Sequence, residues 1–128
     1  KKNIDELLAF CVNKYDNFLA SHAGKTSTIV ISVPLPTIKD DQDWGEIANA
    51  RKSIKATQRQ RTDLTLSFNQ QLKQLCKSRN LFYMDLDAES LGPDNLVTSN
   101  LLSIDNNNHH YDNARYLPLI LKYLKPLL

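Results

Sequence analysis

The stretch Thr28-Ile29-Val30-Ile31-Ser32-Val33, closed by Pro34 and Pro36, constrains the fold more than any other part of the chain. Its residues are mostly β-branched, which suits a pleated strand, and the prolines lack the amide hydrogen needed to continue a ladder. The run is apolar almost without interruption, so it predicts burial on both faces, as in a parallel sheet covered by helices. A second strand is predicted at Leu81-Phe82-Tyr83-Met84-Asp85-Leu86, with Asp85 and Asp87 marking its C-terminal edge. Aspartates in that position cap or turn the chain more often than they do chemistry.

Helical periodicity fills the space around these strands. Ile4, Leu7, Leu8, Cys11, Val12, Tyr15, Phe18 and Leu19 recur at the spacing of one helical face, with Asn3 as cap and Gly24 as stop. His22 falls near that helix's end, where a cation suits the helix dipole. Residues Ile47 to Arg61 are polar and predict a largely exposed helix, with Arg51, Lys52, Lys55, Arg59 and Arg61 on a solvated face. Leu64, Phe68, Leu72, Leu75 and Cys76 form the stripe of a second long helix that closes near Ser78-Arg79-Asn80. A final helix runs from about Asp112, interrupted by Pro118 and broken at Pro126.

The order is helix, strand, loop, helix, strand, loop, helix. Strands joined by helical crossovers run parallel, so the fold class is α/β. Only two strands are predicted, whereas sheets average roughly five or six. The expectation is that another chain supplies strands, or that these residues are the C-terminal part of a larger domain.

Charge excludes some partners. Sixteen basic and 14 acidic side chains spread along 128 residues leave a net charge of +2, which gives no footprint for nucleic acid or an anionic membrane. No apolar run approaches the ~20 residues of a membrane span. The two cysteines, Cys11 and Cys76, each fall on the apolar face of a helix and read as free thiols, which favours a reducing compartment and a cytoplasmic address over secretion.

Two loops carry candidate chemistry. Residues 34 to 46 contain two prolines, a glycine and several acids; placed after a parallel strand, such a loop shapes a substrate pocket or packs down on Trp44. Residues 88 to 110 form a connection longer than compact domains ordinarily use. Its end, Asp105-Asn106-Asn107-Asn108-His109-His110-Tyr111-Asp112, is where an acid and two of the three histidines converge, with Asp112 as helix cap. A metal site from Asp105, His109, His110 and Asp112 is disfavoured, since adjacent histidines seldom both ligate one ion. No glycine-rich phosphate loop follows either strand, which counts against a nucleotide-binding fold.

The strand with Val33-Pro34-Leu35-Pro36, the helix carrying Phe68-Asn69-Gln70-Gln71-Leu72, the strand Phe82-Tyr83-Met84-Asp85-Leu86 and then His110-Tyr111-Asp112 together resemble the C-terminal half of an SGNH (GDSL-type) hydrolase, over roughly residues 28 to 125. That resemblance implies a three-layer, flavodoxin-like parallel sheet to which this chain gives about two strands and three to four helices. It implies a serine ester hydrolase acting on an acetyl or acyl ester of a carbohydrate or lipid. No cofactor and no metal are implied. His110 would be the general base and Asp105 the acid that orients it, as in a catalytic triad. The serine and the oxyanion donors of that family precede the first helix, so the N-terminal part of the domain would come from elsewhere in the protein or from a second chain.

The spacing departs from the family's pattern. Three residues before His110 stands Asn107, and three before His109 stands Asn106; Asp105 is five before His110. Either the loop bulges to bring Asp105 onto the imidazole, or Asn107 takes the acid's place, with His109 as the alternate base. The competing expectation is a non-catalytic SGNH-like domain that binds a glycan or a protein.

Overall fold

A computed structural model describes residues 3 to 53, 55 to 105 and 107 to 128. The chain is mixed α/β, mostly helical, in the order α1 (Ile4–His22), β1 (Ile29–Ile31), α2 (Glu46–Ala50), α3 (Gln58–Ser78), β2 (Phe82–Met84), α4 (Asp87–Ser90) and α5 (Asn113–Leu124), with 3-10 turns at Ser99–Leu101 and Lys125–Leu127. It divides into two compact units, Lys1–Ser32 with Ser67–Asp85, and Val33–Leu66 with Leu86–Leu128.

In the first unit, α1 starts where its sequence expects. The Asn3 side chain accepts from the Asp5 amide at 2.6 Å, and Asp5 and Glu6 sit against the positive end of the dipole. At the other end the His22 Nδ1 lies 2.9 Å from the Phe18 carbonyl, and Gly24 takes a φ of +74° that ends the helix. The apolar face of α1 is only partly covered: Leu8 and Leu19 are buried, whereas Ile4, Leu7, Tyr15 and Phe18 are exposed.

β1 and β2 pair in parallel, Ile29 with Phe82, Val30 with Tyr83 and Ile31 with Met84, and the Ser32 amide extends the ladder to the Met84 carbonyl at 3.0 Å. Burial on both faces is not observed. Ile29 and Ile31 are each 37% exposed and Phe82 59%, and among the described residues the sheet has two strands only. α3 supplies Leu72 and Cys76, both fully buried, and Asn69, whose backbone carbonyl accepts from the Tyr83 hydroxyl at 3.1 Å. Cys11 and Cys76 are free thiols, and burial pushes the Cys76 thiol up from its ordinary value. Asp85, at the end of β2, pairs with Lys73 at 3.1 Å, and Asp16 pairs with Arg79.

The second unit is built on Leu35, Val97, Leu101 and Tyr111, with Leu66, Leu91, Leu102, Tyr116 and Leu119 packed around them. The connection from residue 88 to 110 is less irregular than its composition suggests. Isolated antiparallel bridges join Leu91 to Val97 and Leu102 to Tyr111, the Thr98 amide bonds the Ser90 carbonyl at 2.8 Å, and the Asp112 amide bonds the Leu101 carbonyl at 2.8 Å. Those bonds satisfy backbone groups that a loop over a core must place somewhere.

The helix expected from Ile47 to Arg61 is two pieces. α2 ends at Ala50, and only Ala48 within it is buried, so little packing holds it. A new helix starts after Thr57 because Thr57 and Gln60 form a reciprocal capping box: the Gln60 amide donates to Thr57 Oγ1 at 3.0 Å and the Thr57 amide to Gln60 Oε1 at 2.9 Å. Ile54, inside the expected helix, lies outside the described residues. Trp44, expected to pack its loop down, is 46% exposed. α5 begins as expected, with the Asp112 carboxylate accepting from the Ala114 amide at 2.9 Å. No helix among the described residues is long and apolar enough to cross a membrane.

Candidate functional site

The second unit carries a cleft of about 670 Å³ between the turn that follows β1 and the loop that precedes α5. Pro34, Leu35, Pro36 and Thr37 form one wall, Asn108 to Tyr111 the facing one, and Arg51, Arg61, Leu64 and Thr65 complete it. Two bonds clamp the walls together. The Leu35 amide donates to the Tyr111 hydroxyl at 2.6 Å, and the Thr37 hydroxyl donates to the His109 carbonyl. Burial pushes the Tyr111 phenol up from its ordinary value, so the clamp stays protonated at neutral pH.

Both histidines line the cleft, their rings 4.0 Å apart at centroid and tilted by 38°. His109 is half-buried and His110 exposed. Burial, then the neighbouring His110 and the Arg51 guanidinium, lower the pKa of His109 below 6.5. The neutral imidazole is therefore favoured there. The His110 backbone is fixed by its amide donating to Asn108 Oδ1 at 3.0 Å.

The expected acid is placed in the same loop and engaged locally. The Asp105 carboxylate accepts from the Asn107 amide at 2.9 Å, the Asp105 carbonyl from the Asn108 amide at 3.0 Å, and the Asp105 amide donates to Ser103 Oγ at 3.2 Å. These close an Asx turn, the conformation an Asp-Asn-rich run prefers. Among the described residues no hydrogen bond or ion pair joins Asp105 to either imidazole. Asn107, the alternate, is exposed and turns its backbone toward Gly45, where a Cβ would lie 3.3 Å from the Asn107 carbonyl oxygen; Gly45 is also at φ +86°. Asn106 lies outside the described residues. No group of three His, Cys, Asp or Glu poised for a metal ion occurs among the described residues.

Three contributors to the cleft escaped the sequence. Arg61 reads there as part of a solvated face, yet it stands three residues before Leu64, one helical turn away on the same side, and extending the Leu64 stripe back would have found it. Arg51 carries no such signal. Tyr111 stands in the sequence only as the residue between His110 and Asp112 in the quoted motif, whereas its ring is core and its hydroxyl the clamp. Comparison with protein families, curated proteins and solved structures finds no match to this chain.

Proposed function

We propose that the chain carries the acid–base half of a serine ester hydrolase of SGNH type. His110 is the general base. The serine and the oxyanion donors come from another part of the same protein or from a second chain, and the two strands belong to a larger flavodoxin-like sheet. The observation that carries this reading is a pair of adjacent imidazoles facing a cleft against the proline-rich turn after β1, with the His110 ring solvent-accessible. An imidazole so placed can take a proton from an incoming hydroxyl and return it to a leaving alcohol. The exposed Ile29, Ile31 and Phe82 side chains support a sheet that continues beyond the two strands.

Among the described residues neither aliphatic hydroxyl of the cleft is free to serve as the nucleophile. The Thr37 and Thr65 hydroxyls both donate to backbone carbonyls, of His109 and Arg61, and no serine lines the cleft. The substrate is an acetyl or acyl ester of a glycan, lipid or small molecule. Two free thiols suit a reducing, cytoplasmic setting. Hydrolysis of a short-chain aryl acetate by the full-length protein, lost in His110→Ala, tests the assignment; an unaffected rate in that variant overturns it.

One observation favours a second reading, a binding domain without catalysis. The Asp105 carboxylate is committed to the Asn107 amide. A base without its orienting acid is a poor catalyst, as exchanging that acid for its amide in a serine protease triad costs about 10⁴-fold in kcat. The two readings separate on Asp105→Asn, which lowers the rate in a working triad and leaves a pure binder's affinity unchanged.

A further inference from the structure

The cleft is one-sided in charge. Among the described residues its lining includes Arg51, Arg61, His109 and His110 and no aspartate or glutamate. Composition does not account for this, because the chain as a whole holds 16 basic and 14 acidic side chains. The adjoining hollow, which shares Arg51 and Arg61, is lined by Asp40, Asp41 and Asp43 together with Lys39, Lys52 and Lys55, and among the described residues no ion pair joins those aspartates to either arginine.

Three carboxylates near the cleft in sequence are engaged elsewhere, and a fourth, Asp63, which precedes Leu64, is exposed and outside the lining. Asp105 accepts from the Asn107 amide, Asp112 from the Ala114 amide at the start of α5, and Asp40 from the Gln58 amide at 2.6 Å. Arg61 is held in place by its Nη2 donating to the Ile38 carbonyl at 2.7 Å and its Nε to the Ala56 carbonyl at 3.3 Å, which leaves Nη1 free of these bonds. The Arg51 guanidinium has no hydrogen bond or ion pair among the described residues, and its charge is felt at His109.

We propose that this cleft is an oxyanion-binding site, in which Arg51 and Arg61 receive the phosphate, sulfate or carboxylate group of a small organic molecule and the two imidazoles add donors beside it. Guanidinium groups match such oxyanions in geometry as well as charge. A volume of about 670 Å³ exceeds an inorganic ion and falls in the range of small-molecule pockets, so the oxyanion is one end of a larger ligand. Binding needs neither a nucleophile nor a general base, and the inference therefore stands apart from the hydrolytic reading. If both hold, the ester substrate carries an anionic group.

The test is a titration of the isotope-labelled chain with inorganic phosphate, sulfate and acetate, at ionic strength held constant with chloride, following the His109 and His110 resonances by NMR. The expected result is saturable shifts with a single dissociation constant, weakened at least ten-fold in Arg51→Gln and partly recovered in Arg51→Lys, which keeps the charge and loses the fork. Which anion binds tightest identifies the group. Lys125→Gln, at the C-terminal turn, should bind as the parent does. Shifts that fail to saturate, that chloride alone reproduces, or that survive Arg51→Gln unchanged overturn the proposal. Because Arg51 makes no side-chain bond, resonances remote from the cleft should stay in place in its variants. A flat titration beside a working esterase removes the anion site alone; saturable binding without hydrolysis removes the hydrolytic reading alone.

Discussion

Replacing Tyr111 with phenylalanine removes one oxygen and should release the wall that carries both histidines. Tyr111 is 7% exposed and Leu35 2%, and the 2.6 Å bond from the Leu35 amide to the Tyr111 hydroxyl is buried. In Tyr111→Phe the ring still fills the core beside Val97 and Leu101, so no large cavity forms. What is lost is the acceptor for the Leu35 amide together with the hydroxyl's bond to the Ser90 side chain, and a buried amide left unsatisfied costs about 1–3 kcal/mol. With a urea m-value of about 1–3 kcal/mol per molar for a small protein, the unfolding midpoint should fall by roughly 1 M at unchanged slope. The matched control is Tyr116→Phe, whose hydroxyl has no hydrogen-bond partner among the described residues and whose loss should stay within about 0.5 kcal/mol. Tyr111 and Tyr116 meet edge to face at 5.0 Å, and neither substitution removes that ring contact. Equal midpoints for the two variants would refute the clamp.

Two further outcomes follow from the same contacts. Thr62 is fully buried and its hydroxyl has no hydrogen-bond partner among the described residues, so Thr62→Val, which keeps the shape, should leave the urea midpoint unchanged or raise it; a fall above about 1 kcal/mol would show that the hydroxyl is bonded after all. His109 should titrate below 6.5 by NMR, and Arg51→Gln should move its midpoint upward by removing a nearby positive charge. With the folded pKa lowered, the unfolded chain binds more protons, so His109 costs the fold stability as pH falls below 6.5, and the cost is absent above it. An unmoved midpoint in Arg51→Gln would place Arg51 away from the ring.

Local rules carried the parts of this fold that one residue decides. Asn3 and Asp112 cap helices because a short side-chain acceptor before an apolar-periodic run has few better uses, and the structure puts both on the expected amides. The parallel pairing of β1 and β2 follows from the long helical crossover between them. Failures came where packing or several residues decide. Ile29 and Ile31 belong to an apolar run that reads as doubly covered, yet cover depends on neighbours no local pattern contains. The break after Ala50 was legible in Thr57-x-x-Gln60, a capping box hidden inside a polar stretch that also reads as continuous helix.

At the site, the sequence brought His109, His110, Asp105 and Asn107 into one loop and could go no further, because the direction of a carboxylate in an Asp-Asn-rich run is set by competition between its own backbone and a distant ring. In this structure the backbone holds it. Arg51 was beyond reach for a different reason: it joins the cleft from a short helix with no apolar stripe to fix its facing.

The most direct test is the rate of aryl acetate hydrolysis by the full-length protein in parallel with His110→Ala and His109→Ala. With His110 as the general base, His110→Ala should lose at least about 10²-fold, the scale of general-base catalysis, and His109→Ala should change much less. Full activity in His110→Ala would contradict that role.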